Sequence, residues 1–206
     1  MPSSPSEPSH VKRQVDLQII TDWIDPDSRI LDLGCGRGIF LEHLKNSKNV
    51  QGIGVDIDFN KTLACIQRGL TVYQGTIETV IGTFPNNFFD WVLCSRTLEE
   101  LDRPAFIIEE ALRVGHRMAV GFVNYGFWVN RLSILRRGYR ATNDVYPHAW
   151  SQSRPFNPLA IDEFEHFCAE NRLYIERKAY LKGDWQTPCT VLPNLRSGYA
   201  LYAITH

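Results

Sequence analysis

Apolar residues along this chain gather in short runs, and the stretches between the runs carry apolar positions every three or four residues. Val15, Leu17, Ile19, Ile20, Trp23 and Ile24 fit one face of a helix. Asp25-Pro26-Asp27-Ser28 then turns the chain into an apolar run at 29–33. Further runs of strand type follow at 50–55, 70–74, 89–94 and 117–123. Helical patterns lie between them at 38–46, 60–68, 77–82 (short and weak) and 104–114. Short buried strands alternating with helices predict βαβ units around a parallel sheet. Right-handed crossovers then place helices on both faces.

The final third follows another rule. A helix at 161–171 precedes two strand-like runs, 173–181 and 199–204, joined by a linker rich in Gly, Asp, Pro and Asn rather than by a helix. Two such strands can pair antiparallel, so the sheet is expected to end in a C-terminal hairpin. Residues 124–158 form a long aromatic segment with several arginines, the best candidate for a cap over a site. The Pro- and Ser-rich residues 1–10 are expected to be a disordered tail, which leaves 11–206 as one domain.

Composition narrows the function classes. The 206 residues carry 44% hydrophobic and 22% charged side chains, the mix of an ordinary globular protein. A formal net charge of −1 gives no general reason to track a phosphate backbone, so nucleic acid is not an expected partner. No apolar run approaches the roughly 20 residues of a membrane span, and the first ten residues show no secretory pattern. The five cysteines, Cys35, Cys65, Cys94, Cys168 and Cys189, form no CxxC pair and are odd in number. Reduced thiols in a cytoplasmic protein, with no structural metal, is the reading that follows.

The most informative stretch is Arg29-Ile30-Leu31-Asp32-Leu33-Gly34-Cys35-Gly36-Arg37-Gly38. An apolar strand reaches an acid, breaks into three alternating glycines and enters a helix. Gly34 allows the turn, Gly36 lets a ligand approach the backbone, and Gly38 lets the next helix pack closely. Asp56 stands at the end of the next run, where an acid accepts hydrogen bonds from ribose hydroxyls. Dinucleotide sites use GxGxxG to seat a pyrophosphate on a helix N-terminus. Here the spacing is one residue shorter, and Asp32 would repel a pyrophosphate while attracting an ammonium or sulfonium group. Both features favour S-adenosylmethionine (SAM) over NAD as the cofactor.

With these motifs the chain resembles the class I SAM-dependent methyltransferases, whose Rossmann-like, mostly parallel seven-stranded α/β sheet ends in an antiparallel hairpin. More narrowly it resembles the MetW family of methionine biosynthesis. The residues that carry the likeness begin with 15–20 and Ile30 to Gly36, and continue through Ala64-Cys65-Ile66, Val72 to Gly75 and Phe84-Pro85. Ser95, Thr97-Leu98, Leu112 to Gly115 and Asp162-Glu163-Phe164 follow the same pattern. Asn124 with Trp128 and Arg131, and Leu192-Pro193-Asn194-Leu195, point to the narrower family. The resemblance implies a role in methionine biosynthesis and an association with homoserine O-acyltransferase. The cofactor contacts expected are Asp32, Gly34, Cys35, Gly36, Asp56, Ile57, Thr76 and Ser95.

The chain also departs from the family. Arg37 stands where an acidic or small residue is usual, and either faces water or meets the ligand carboxylate. Gly75 is followed by Thr76 instead of Asp, so Thr76, Glu78 or backbone must serve the adenine amino group. Ser95, Tyr125 and His148 are the candidates for the acceptor side, without an assigned acid or base. Glu99 and Glu100 read as exposed helix charges. Arg131, Arg136, Arg137 and Arg140 form a basic cluster, read as a solvated helix face or as a docking surface for an acidic partner or anionic substrate. Trp128 and Trp150 are candidate roof residues. Two functions follow from these features: methyl transfer to a small molecule, or a non-catalytic SAM-sensing subunit that modulates homoserine O-acyltransferase.

Overall fold

In a computed structural model, which describes residues 8–138 and 156–206, the strands are β1 (Arg29–Leu33), β2 (Gln51–Asp56), β3 (Thr71–Gln74), β4 (Phe89–Ser95), β5 (Gly115–Val123), β6 (Tyr174–Leu181) and β7 (Tyr199–Thr205). They form one sheet in the order β3-β2-β1-β4-β5-β7-β6. Strands β1 to β5 pair in parallel, and β7 pairs antiparallel with both β5 and β6. The expected hairpin is therefore present, but its second strand lies inside the sheet and its first strand forms the edge. The burial patterns agree. β7 buries six of its seven residues, whereas β6 exposes Glu176, Arg177 and Lys178, the charged dressing of an edge strand.

Alternation along each strand divides the core into two layers. Ile30, Trp91, Leu93 and Ala119 face α1 (Pro8–Trp23), α2 (Ile39–Lys48) and α3 (Phe59–Gln67). Leu31, Leu33, Val92 and Val120 face α4 (Ile77–Ile81), α5 (Pro104–Val114) and α7 (Ile161–Glu170). Two more helices, α6 (Trp128–Arg137) and α8 (Pro193–Arg196), lie outside these layers. Neither shows as a helix in the hydrophobic pattern: α6 buries only Asn130 and α8 buries no residue.

Helix α1 begins at Pro8, before the expected domain start at Val11. The remaining expected boundaries fall within a few residues of the observed ones, the usual uncertainty of helix and strand ends. Among the described residues no helix is long and apolar enough to cross a membrane, and no cluster of His, Cys, Asp or Glu could hold a metal ion. All five cysteines are free and buried.

The strand order reverses between β1 and β4. In an open α/β sheet, the crevice at such a reversal, outside the carboxyl ends of the strands, is where ligands bind. The loop after β1 and the tip of β4 are its two walls.

Candidate functional site

On the β1 side the site is built from backbone. Gly34 N–H and Cys35 N–H both donate to Val55 O, at 2.8 and 3.0 Å, and bend the chain out of the sheet. Gly34, Gly36 and Gly38 have φ of 77°, 60° and 73°, the left-handed region that favours glycine. A Cβ on Gly34 would run into the Thr97 side chain, whereas a Cβ on Gly36 would meet nothing within 4 Å. The first glycine is therefore held by packing, and the second borders open space. Gly36 N–H donates to Asp56 Oδ2 at 2.9 Å, and Asp58 N–H donates to Asp56 Oδ1 at 2.9 Å. Asp56 thus ties the glycine loop to the tip of β2. Its two oxygens keep room for two more donors, since a carboxylate offers about four lone-pair sites.

Asp32 lies buried near the end of β1. Burial, and then the nearby Asp56 carboxylate, push its carboxyl up to about 7. No cation among the described residues offsets this. A buried acid in that state would ionise readily beside a bound cation.

On the β4 side the site is built from side chains. Ser95, the last residue of β4, has its hydroxyl 3.1 Å from that of Tyr199. Tyr199 reaches it across β5 because Gly121 leaves space; a Cβ there would lie 2.5 Å from the phenol oxygen. Burial pushes the Tyr199 phenol well above the tyrosine range, so it stays protonated and neutral. Arg96 follows with φ 61°, held by its N–H to Gly121 O at 2.8 Å. Its guanidinium donates to Asp16 Oδ2 at 2.5 Å and lies 5.3 Å from the Trp185 ring and 5.6 Å from the Tyr199 ring. Asp16 is fully buried, and burial pushes its carboxyl up against the pull of Arg96. The pair pins helix α1 to the tip of β4.

The other expected residues fall as follows. Ile57 is 60% exposed, an apolar surface directly after Asp56. Thr76 caps α4, accepting from Thr79 N–H at 3.3 Å, with Glu78 in the first turn of the same helix. The Cys35 thiol points into the core, 4.0 Å from the Cys65 thiol, so only its main chain borders the loop. Arg37 is exposed. Tyr125 donates its N–H to Leu159 O at 2.9 Å and packs its ring 5.1 Å from Phe156; the hydroxyl that meets Ser95 belongs to Tyr199 instead. His148, Arg140 and Trp150 lie outside the described residues, and Trp128 is half exposed on α6.

Glu99 corrects an expectation. It is buried, and its carboxylate accepts Val123 N–H at 2.8 Å, because the three-residue 3-10 turn Leu98–Glu100 points it back at the end of β5. Asp16 and Tyr199 were missed as site residues. The one local hint for Asp16 was an acid set inside the apolar stretch of α1, between Val15 and Leu17.

Asn124 anchors the end of β5. Its buried amide makes four hydrogen bonds, the full capacity of the group. The nitrogen donates to Asn194 O and Ser197 O at 2.9 and 2.8 Å, and the oxygen accepts from Gly126 and Ile161 N–H at 2.9 and 3.3 Å. One side chain thus joins the end of β5, the start of α7 and helix α8.

Comparison with known proteins shows the family and the fold. A family model described as "Methionine biosynthesis protein MetW" matches residues 14–204. A bifunctional methionine biosynthesis protein MetXA/MetW from Rhodopirellula baltica is 28% identical over 131 residues, covering 60% of this chain and 21% of that one. A ubiquinone biosynthesis O-methyltransferase from Xylella fastidiosa is 30% identical over 147 residues, covering 67% of this chain and 59% of that one. The chain thus spans less than two thirds of either relative. Among solved structures, magnesium protoporphyrin IX methyltransferase from Synechocystis with bound SAH superposes with a TM-score of 0.70 at 12% identity, covering 100% of this chain and 90% of that one. A SAM-dependent methyltransferase from Archaeoglobus fulgidus superposes with a TM-score of 0.69 at 14% identity, covering 98% and 95% of the two chains. The fold is that of the SAM-dependent methyltransferases, and the chain belongs to the MetW family of methionine biosynthesis proteins.

Proposed function

We propose that the protein binds SAM in the crevice between β1 and β4 and transfers its methyl group to a small molecule in the cytoplasm. The observation that carries the reading is Asp32: a buried carboxyl with no neutralising cation among the described residues, two residues before a glycine loop whose Gly36 borders open space. Asp32 would hold the methionyl ammonium, and the Gly34–Gly36 main chain would form the floor. Asp56 would accept the ribose hydroxyls at its remaining lone pairs, and Ile57 would lie against the adenine. Ser95 would line the methyl side. When bound, the sulfonium supplies an activated methyl group and leaves as a neutral thioether. The residues around it act by holding donor and acceptor in line, which supplies much of the rate of such a displacement.

Incubation with methyl-labelled SAM and a small-molecule extract tests the proposal. Label should appear in a low-molecular-weight product, and should not when Asp32→Ala replaces the wild type. Absence of transfer by a preparation that binds SAM would count against catalysis.

A second reading has one specific observation behind it: the Rhodopirellula relative carries both names, MetXA and MetW, on a single chain. In that reading the protein is an accessory subunit that reports SAM to a homoserine O-acyltransferase. Copurification with that enzyme, and a change in its rate on adding SAM, would support it.

A further inference from the structure

The two edges of the sheet are dressed differently. Edge strand β6 exposes Glu176, Arg177 and Lys178, charges that discourage a further strand. At the opposite edge, β3 pairs only with β2 among the described strands. Its residues, Thr71-Val72-Tyr73-Gln74, hold neither a charge nor a proline, and three of the four are exposed. Nothing in the strand itself guards that edge.

Helix α3 lies over β2 and β3 and shows its apolar side outward. Its buried residues are Thr62 and Cys65, whereas Phe59, Leu63 and Ile66 are 61%, 40% and 60% exposed. Spacings of four and three residues set these three on one stripe. Arg68, nine residues on from Phe59 and so half a turn round the helix, pairs with Glu42 of α2. The stripe therefore faces away from α2, out past β3. Lys61, also off the stripe, pairs with Asp56 at 3.8 Å. The positions beside the stripe, Asn60, Thr62 and Gln67, are uncharged. On the other face of the edge, Tyr73 is 47% exposed, its ring edge-on to Phe84 at 5.8 Å.

We propose that β3 and α3 form the interface of a homodimer, in which the sheets of two copies join edge to edge through antiparallel β3 strands. A two-fold axis normal to the sheet reverses the strand and keeps its faces. Such an axis sets the two α3 stripes against each other on one face of the seam, and Tyr73 beside the partner's Tyr73 on the other. An uncharged surface suits its own copy, because a surface of one sign would meet like charge across the axis. The exposed side chains named here offer on the order of 500 Å² on each copy, about 1,000 Å² in all, the size at which specific interfaces begin. Neither cofactor nor acyltransferase enters this interface.

Light scattering of the full chain at about 200 μM tests it, with Ile66→Lys and Thr71→Lys as variants at exposed positions. Wild type should run at twice the chain mass. Each variant should keep the wild-type circular dichroism and raise the dimer dissociation constant at least about tenfold. Leu63→Cys gives an independent readout, because all five native cysteines are buried. Mild oxidation of Leu63→Cys should yield a disulfide-linked dimer, and that of Leu135→Cys, at an exposed position on α6, should not. A monomeric wild type, a dimer that both lysine variants leave intact, or equal cross-linking of Leu63→Cys and Leu135→Cys would each overturn the proposal. So would a monomer that binds phosphatidylserine vesicles and loses them in Ile66→Lys, which would assign the stripe to a membrane surface.

Discussion

The two walls of the crevice are made differently. The β1 wall is backbone: three glycines at positive φ, amides turned onto Val55 O and Asp56, and one buried carboxyl. The β4 wall is side chains drawn from far along the chain: Asp16 with Arg96, and Ser95 with Tyr199. A backbone wall suits a ligand part that never changes, and a side-chain wall can be altered one residue at a time. On the proposed function the cofactor would lie on the first and the acceptor on the second. The difference also decides how each wall should fail.

The largest effect should come from the β4 wall. Asp16→Ala leaves the Arg96 guanidinium buried without its anion, and should cost about 3–5 kcal/mol in urea unfolding. Asp16→Leu combined with Arg96→Leu should recover most of that loss. If the single and double variants are equally unstable, the pair is not what pins α1.

Asn124→Asp comes next. The exchange keeps the acceptor for Gly126 and Ile161 but sets an oxygen against the Asn194 and Ser197 carbonyls. About 2–4 kcal/mol should be lost in the same assay.

On the β1 wall, stability and binding should separate. Gly34→Ala meets both the positive φ and Thr97, and should destabilise by about 2 kcal/mol. Gly36→Ala meets only the φ, and should cost about 1 kcal/mol, yet its methyl enters the open space and should weaken SAM at least about tenfold. Equal binding by Gly36→Ala and wild type would remove the cofactor from that space.

The smallest effect is in pH. Asp32 has its folded pKa raised to about 7, so the stability linked to its protonated form is complete below the ordinary aspartate pKa near 3.9 and is lost as pH rises through 7. Binding of a cation runs the other way, because it requires the ionised form. SAM affinity should therefore fall about tenfold per pH unit below 7, and Asp32→Asn should flatten that slope.

This contrast also explains what could be read from the chain. The strand and helix alternation was legible because buried parallel strands are continuous apolar runs and their helices keep a steady period. The glycine loop was legible because its chemistry lies in consecutive residues. Tyr199 was not, because it reaches Ser95 only after β7 inserts between β5 and β6, a placement that pattern alone does not determine. Glu99 misled because a polar residue after a strand looks solvated until a 3-10 turn points it inward. Helices α6 and α8 left no hydrophobic period because they bury almost nothing.

Calorimetric titration of SAM into wild type, Asp32→Ala and Asp56→Ala tests the account most directly. Wild type should bind one molecule per chain, and each substitution should weaken it about ten- to a hundredfold, the loss of one charge-assisted contact. Wild type that binds no SAM, or variants that bind it as tightly as wild type, would contradict the claim that these two carboxyls grip the cofactor.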